Sequence, residues 1–280
     1  MIVDAHVPVW EVPPIAPVGP TSPKPIMPQR EAGTAEELID DMDANGVDKA
    51  VLVQTSFSTW DNGYVADSAR KYPDRFVAMG LVDPLDPNNA SVVRYWVEER
   101  GMAGFRFHPM YYDDEEILMV ERNAAMWEAI DDIGAVVQLQ ILAKHATQVA
   151  VVAEGHPTVP FVLDHLSYPQ FSEAPYFASH SQVLKLARFP NVYIKISDMH
   201  DHSGEDFPYR DIHPFVRQVQ DAFGTDRLMW GTGYPGTQRV KNGWPTLADE
   251  LRLVREGYDW LTDAEKARVL GRTAAAVWSL

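Results

Sequence analysis

The sequence predicts a (β/α)8 TIM barrel, an α/β fold that forms a single domain over residues 1–280. Short runs of apolar and β-branched residues alternate with stretches of helical periodicity, and this alternation repeats eight times. The runs are almost continuously apolar, which is typical of parallel strands covered on both faces. The length of 280 residues also fits one barrel, which takes roughly 250 residues. An open doubly wound sheet is the alternative arrangement of the same units.

Eight apolar runs are the predicted strands. In chain order they cover Ile2–His6, Ala50–Gln54, Phe76–Val82, Gly104–His108, Val136–Gln140, Phe161–His165, Val192–Ser197 and Leu228–Thr232. In a barrel these strands lie parallel, so their C-terminal ends meet at one face, where the active sites of such barrels lie.

Helices are predicted between the strands from capping patterns and periodicity. Thr34 with Glu37 three residues later forms a capping box, and Asn45-Gly46 is typical of a helix end. Ala124, Trp127 and Ile130 recur at helical spacing. A late helix begins at Thr262, with Glu265 in the same capping relation.

A proline-rich segment follows the first strand. Residues Trp10–Arg30 contain seven of the chain's 21 prolines and little periodicity. We predict a loop over residues 11–33 on the C-terminal face of the barrel, either a stiff surface connection or a wall of the pocket.

The composition excludes several classes of function. A net charge of −16 argues against a nucleic acid or an anionic membrane surface as partner, so a small-molecule substrate is expected. The absence of cysteine excludes disulfides, cysteine-based zinc sites and a thiol nucleophile, and fits a reducing cytoplasm. No apolar run approaches the ~18 residues of a membrane span. The sequence therefore predicts a cytoplasmic protein.

Several motifs resemble those of a known family, and it is their order and spacing together that make the resemblance specific. The first strand ends in Asp4-Ala5-His6-Val7-Pro8, and the last residues include Gly271-Arg272-Thr273-Ala274-Ala275. The others are the segments 42–54, 76–84, 104–109, 162–166 and 228–235. Together they resemble the amidohydrolase-related (amidohydrolase 2) family, which includes lactonases and decarboxylases. The resemblance covers nearly the whole chain and implies the same barrel.

The chain departs from the metal site that this resemblance implies. In that family, two histidines of the first strand, histidines of the fifth and sixth strands and an aspartate of the eighth hold a metal, and the aspartate also serves as base toward water. His6 and His165 match this pattern, but Pro8, Gln140 and Gly233 stand at other ligand positions. Since a catalytic zinc site normally has three protein ligands plus water, we expect no metal cofactor.

A replacement metal site is one alternative. Met199-His200-Asp201-His202 supplies a new His-x-His on the active face after the seventh strand. Because nothing forces this segment into an extended strand, we expect both histidines to be exposed loop residues.

Five residues at strand ends are the candidate catalytic groups. His165 is the candidate base, because a histidine transfers protons near neutral pH. His6 or His108 would assist it. Lys195 would act as a base or Schiff-base former if its surroundings are apolar, and Asp198 would supply a carboxylate.

Five further residues are candidate substrate-binding groups. Arg106 would clamp a substrate carboxylate, with an ion pair in the barrel core as the alternative. Gln140 ends the fifth predicted strand and Tyr234 follows the eighth, and Trp10 and Tyr111 would wall the pocket.

These observations lead to one preferred function and two alternatives. We expect a metal-independent hydrolase that opens a lactone or similar cyclic ester or amide by histidine-assisted attack of water. The first alternative is a metal-free decarboxylase, lyase or cyclase that acts on a biosynthetic intermediate in the same pocket. The second is a non-catalytic ligand-binding barrel. By analogy with other barrels, a homodimer is also possible.

Overall fold

Eight parallel strands form one sheet in the order β1 to β8, with helices between them, so the predicted (β/α)8 barrel is confirmed. The structure is a computed structural model, and it describes residues 1–11, 32–55, 60–112, 116–119, 121–234, 241 and 243–280. No helix in these ranges is both long and apolar enough to cross a lipid bilayer.

The strands lie where the sequence predicts them. They are β1 (Val3–Val7), β2 (Lys49–Val53), β3 (Phe76–Leu81), β4 (Gly104–Phe107), β5 (Val136–Leu139), β6 (Phe161–Leu163), β7 (Val192–Ile196) and β8 (Leu228–Trp230). All predicted strands from the second onward end one or two residues too late. The excess residues, among them His108, Gln140 and His165, lie just beyond the C-terminal ends of the strands and are buried there.

The helices follow in the same alternation. Those described are α1 (Ala35–Asn45), α2 (Gly63–Lys71), α3 (Asn89–Arg94), α4 (Ala124–Asp132), α5 (Ala146–Gly155), α6 (Ser181–Lys185), α7 (Met199–His202), α8 (His213–Phe223), α9 (Leu247–Arg252), α10 (Asp263–Ala267) and α11 (Thr273–Trp278). Both predicted capping boxes are formed, at Thr34 with Glu37 and at Thr262 with Glu265. Gly46 ends α1 in the left-handed conformation, as its sequence predicts.

A bulge in β1 directs His6 into the barrel. Asp4 pairs with Ala50 and Val7 with Leu52, so two residues of β1 face one residue of β2 between these pairs. Simple alternation along a strand would place Ala5 and His6 on opposite faces. An extra residue re-aims a side chain. As a result, Ala5 packs inside the barrel while His6 also reaches its interior.

Asp4 joins the first strand to the last. Its carboxylate, 1% exposed, accepts hydrogen bonds from the backbone N–H of Thr232 (3.0 Å) and from the Thr232 hydroxyl (2.5 Å). It also accepts one from the backbone N–H of His6 (3.1 Å). The backbone N–H of Gly233 donates to the carbonyl of His6 at 2.7 Å, which completes the contact between the end of β1 and the segment after β8.

Replacing Asp4 with alanine should therefore destabilise the barrel. Three buried donors would lose their acceptor, and one unsatisfied buried group costs ~1–3 kcal/mol. We expect the free energy of unfolding in urea to fall by at least ~3 kcal/mol. Asp221→Ala, at an exposed position of α8, is the control and should match the wild type. Equal stability of the Asp4 variant would contradict this role.

The core has an inner and an outer layer. Alternate strand residues such as Val51, Met79 and Met229 fill the barrel interior, together with Trp278 of α11. The larger outer layer packs the other strand faces against the helices. Trp278 donates its indole N–H to the sulfur of Met79 (3.3 Å), and its ring centre lies 5.8 Å from Lys195 Nζ. The aromatic ring therefore helps to seal the interior on one side of that lysine.

The ends of the proline-rich segment meet. Trp10 and Gly33 form an antiparallel bridge with N–H···O distances of 2.8 and 3.2 Å. The loop predicted over residues 11–33 otherwise lies mostly outside the described residues, so its role as a pocket wall stays a prediction.

Candidate active site

Asp164 is the centre of a buried cluster of charges at the end of β6. Its side chain is fully buried, with Oδ2 2.7 Å from Nε of Arg106 and Oδ1 3.0 Å from Nζ of Lys195. Burial alone would raise the pKa of Asp164, but the charges of Lys195 and Arg106 outweigh it and hold the pKa well below its usual value. Asp164 is therefore a carboxylate that bridges two buried cations.

Lys195 projects from β7 into the barrel interior and contacts His6. Nζ of Lys195 lies 3.0 Å from Nδ1 of His6, whereas Oδ1 of Asp164 lies 3.4 Å from that nitrogen. Burial lowers the pKa of Lys195 to about 8, so the side chain is mainly an ammonium at neutral pH. Burial and the charge of Lys195 lower the pKa of His6 to about 3. His6 is thus a neutral imidazole that accepts a hydrogen bond at Nδ1 and carries its proton on Nε2.

An unusual left-handed turn follows β6. His165, Leu166, Ser167 and Tyr168 all have positive φ, between 51° and 60°. Such a run in non-glycine residues is strained. It places the side chain of His165, like that of Asp164, against Arg106 and His6. Neighbouring residues of a regular strand would point to opposite faces.

Hydrogen bonds define which nitrogen of His165 carries the proton. Nδ1 lies 3.0 Å from Oδ2 of Asp198 and 2.9 Å from the hydroxyl of Ser197, whereas Nε2 lies 3.3 Å from a guanidinium nitrogen of Arg106. A carboxylate accepts and a guanidinium only donates. The proton is therefore on Nδ1, and Nε2 offers a lone pair. The rings of His165 and His6 lie 4.6 Å apart, edge to face.

Neutral polar and aromatic groups surround these charges. His108 is buried, which lowers its pKa well below the usual value, and its ring lies 5.2 Å from that of Tyr111. The amide of Gln140 donates a hydrogen bond to the hydroxyl of Tyr168. The ring of Tyr168 stands 5.3 Å from that of His202. These groups offer hydrogen bonds and ring contacts without adding charge.

The structure brings together all but two of the predicted site residues. Asp164 or His165 directly contacts His6, Arg106, Lys195 and Asp198. Arg106 forms the core ion pair that was the alternative to a substrate clamp. Trp10 lines a separate cavity of about 530 Å³ together with Gln54 and Tyr64, and Tyr234 packs in the outer apolar core. The catalytic and binding roles themselves stay predictions.

The expectation that His200 and His202 are exposed loop residues is wrong. They lie on the short helix α7, and His202 is only 4% exposed because it packs against Tyr168. Burial lowers the pKa of His202 to about 3. His200 instead faces Asp201 (3.4 Å) and Glu250 (3.9 Å). The helical spacing separates the two imidazoles.

Sequence reasoning missed Asp164, Ser197 and Tyr168. A carboxylate directly before a strand-end histidine was a visible signal for Asp164, since an ionised group at the end of an apolar run needs a buried partner. No comparable signal identified Tyr168, because its position depends on the left-handed turn.

The donor set does not fit a divalent metal ion as it stands. His6, Asp164 and His165 offer ligand atoms within 4.8 Å of one another, the one such group among the described residues. However, Lys195 Nζ lies 3.0 Å from both His6 Nδ1 and Asp164 Oδ1, and Arg106 lies against His165. A divalent metal ion would lie beside two buried positive charges and would compete with them for the carboxylate of Asp164. A buried ion without its counter-charge costs several kcal/mol.

The barrel and this strand-end site define an amidohydrolase-type protein, and comparison with known families agrees. The family model described as amidohydrolase matches residues 3–280. The chain therefore belongs to the amidohydrolase family, and the resemblance inferred from its sequence motifs is confirmed.

Two characterised relatives are lactone hydrolases. L-fucono-1,5-lactonase of Burkholderia ambifaria is 26% identical over 68% of this chain and 66% of its own length. 4-Sulfomuconolactone hydrolase of Hydrogenophaga intermedia is 23% identical over 78% of this chain and 71% of its own length. These relatives support an amidohydrolase-family hydrolase. The chain spans about two thirds of the first relative's length.

Solved structures share the fold at low identity. A probable 2-pyrone-4,6-dicarboxylic acid hydrolase of Acinetobacter baumannii superposes with a TM-score of 0.80 and 18% identity, covering 100% of this chain and 99% of its own. A zinc-bound amidohydrolase of Burkholderia multivorans gives 0.77 and 21%, with coverage of 100% and 99%. The 2,6-dihydroxybenzoate decarboxylase of Rhizobium gives 0.70 and 13%, with coverage of 99% and 98%.

Proposed function

We propose that this protein is a metal-independent lactone hydrolase. The observation that carries the proposal is the position of Lys195, whose ammonium lies 3.0 Å from both His6 Nδ1 and Asp164 Oδ1. The chain thus supplies its own cation among groups able to bind a metal. The two lactone-hydrolysing relatives support the substrate class.

His165 acts as the general base in this proposal. In this proposal the attacking water takes the place of the Arg106 N–H that lies 3.3 Å from Nε2. The Nε2 lone pair then accepts a proton from this water as the water oxygen bonds to the lactone carbonyl carbon. The charge of Asp198, 3.0 Å from Nδ1, stabilises the imidazolium that forms. The ring C–O bond of the tetrahedral intermediate then breaks, and the proton on Nε2 passes to the leaving oxygen. The product is the open hydroxy acid, and the protein returns to its starting state.

His6 supplies a donor for the carbonyl oxygen. Because Lys195 occupies Nδ1 of His6, the proton on Nε2 is available for a hydrogen bond to the oxyanion. The lowered pKa of His6, about 3, keeps the ring neutral, so it donates without becoming a competing acid. Removal of one such donor typically costs ~10²–10³ in kcat. His108 is a second neutral imidazole near the same charges.

Decarboxylation or another lyase or cyclase reaction is the second candidate. The observation that favours it is the pair of buried cations, Arg106 and Lys195, since a positive charge stabilises the carbanion that loss of carbon dioxide leaves. The Lys195 ammonium, with a pKa lowered to about 8, could also supply the proton that this carbanion takes up. Product mass separates the candidates. Hydrolysis adds the mass of one water, decarboxylation removes carbon dioxide, and cyclisation or isomerisation leaves the mass unchanged. A ligand-binding barrel without catalysis would give no product.

Chelator treatment is the test of metal independence. Protein purified with EDTA and then analysed for metals by mass spectrometry should contain much less than one equivalent, and its kcat should equal that of untreated protein. The substrate panel should include an uncharged sugar lactone and an anionic muconolactone. Loss of turnover on chelation that one equivalent of zinc or manganese restores would overturn metal independence. No turnover of any lactone would overturn the substrate class.

A further inference from the structure

The carboxylate of Asp198 occupies the space into which a side chain of residue 233 would extend. A Cβ atom built on Gly233 would lie 2.7 Å from Oδ1 of Asp198, 3.2 Å from Oδ2 and 3.3 Å from Cγ. Real Cβ atoms essentially never approach an oxygen to 2.7 Å. The two residues follow different strands, β7 and β8, and the carboxylate fits there only because position 233 has no side chain.

The backbone at both positions is adapted to this arrangement. Asp198 has φ 53° and Gly233 has φ 68°, both in the left-handed region. Aspartate and asparagine are the non-glycine residues that tolerate this region best. The turn at Asp198 directs its carboxylate back across the strand ends, where Oδ2 reaches 3.0 Å from Nδ1 of His165. Position 198 thus has an aspartate, which tolerates the left-handed backbone, and position 233 has a glycine, which leaves room for the aspartate's carboxylate.

We propose that Gly233 is a positioning residue. Because it has no side chain, the Asp198 carboxylate can accept a hydrogen bond from Nδ1 of His165, which leaves the lone pair of His165 on Nε2. The carboxylate that orients the base therefore belongs to Asp198, which follows β7. It lies against Gly233, which follows β8, in the space that a side chain of residue 233 would otherwise fill. This inference rests on the proposed role of His165 as base. Asp198 acts through His165, so its removal should lower kcat with little effect on KM.

Gly233→Ala is the first variant that separates this role from backbone strain. The added methyl group should displace the Asp198 carboxylate and lower kcat by about 10²–10⁴-fold. Gly243→Ala is the matched control, because Gly243 has φ 71° and no described atom lies within 4 Å of the position that its Cβ would take. It carries the same left-handed strain without the clash, so its kcat should equal that of the wild type. Equal losses in both variants would overturn the proposal.

Exchange of the two side chains is the decisive test. Asp198→Gly and Gly233→Asp should each lower kcat by about 10²–10⁴-fold, the first by removing the carboxylate and the second by crowding it. The double variant supplies one carboxylate from the opposite side of the same space, and it should recover at least tenfold over either single variant. A double variant no better than the worse single one would contradict the shared position. Asp198→Asn retains the shape and should still lose activity.

The hydrogen bond itself gives a readout that does not depend on turnover. NMR of histidine-labelled protein should detect the Nδ1 proton of His165 as a far-downfield signal, assigned by its loss in His165→Gln. The signal should disappear in Asp198→Gly and in Gly233→Ala and return in the double exchange. A signal that persists in both single variants would overturn the positioning role, even in an active enzyme. If the wild type opens no lactone, the proposed function fails while this signal still tests the geometry.

Discussion

Replacement of His165 by glutamine should lower kcat for lactone opening by about 10²–10⁴-fold, the usual contribution of a general base. Glutamine keeps a polar side chain near Ser197 and Asp198 but has no nitrogen lone pair that takes a proton. We expect KM to change little, since His165 acts mainly in the transition state. Initial rates of proton release at several lactone concentrations provide the measurement.

His156→Gln is the matched control for that experiment. His156 follows α5 and pairs with Asp131 at 3.3 Å, outside the site. Its replacement changes the same side-chain chemistry and should leave kcat unaffected. If His165→Gln and His156→Gln both retained wild-type turnover, His165 would not be the base.

Replacement of Asp164 by asparagine should cause the largest loss of stability at the site. Asparagine leaves Arg106 and Lys195 buried without their shared counter-charge. Removal of one partner from a buried ion pair costs ~3–5 kcal/mol, and here two cations lose the same partner. We expect the free energy of unfolding in urea to fall by at least that amount and lactone turnover to be lost.

A double-variant cycle tests whether the charge explains this loss. Lys195→Met alone should destabilise less than Asp164→Asn, because Asp164 keeps Arg106. The combined Asp164→Asn/Lys195→Met variant should be more stable than the sum of the single losses, since one stranded cation is gone. Asp132→Asn, in an exposed pair with Arg94, is the control and should stay close to the wild type. Strict additivity would mean that the Asp164–Lys195 contact contributes nothing.

The sequence predicted the barrel well because the barrel depends on periodicity. Eight apolar runs, two capping boxes and the glycine that ends α1 are local signals, and the structure places each as expected. The ends of the strands were less predictable. Their last residues look like strand by composition, and Gln140 still donates its backbone N–H to the carbonyl of Phe107, but the strands themselves end one or two residues earlier.

The sequence predicted which residues belong to the site better than it predicted which of them contact one another. His6 and His165 were identified from the family resemblance, and Lys195 and Asp198 from their positions near the end of the seventh strand. Their pairing could not be read from the sequence, since it depends on the β1 bulge and on the left-handed turn. The same two features explain why Asp164 was missed: period-two alternation alone gives no reason for it to meet His6.

The left-handed turn at residues 165–168 also bears on how this chain can evolve. Four non-glycine residues at φ 51° to 60° cost about 4–8 kcal/mol together, at ~1–2 kcal/mol for each. A domain has a net free energy of unfolding of only ~5–15 kcal/mol, so the strain in this segment is of the same order as the stability of the whole domain. Glycine or asparagine at Leu166 or Ser167 would release part of that strain. Selection for thermal stability and selection for the geometry of His165 therefore act on the same few residues, and they act in opposite directions.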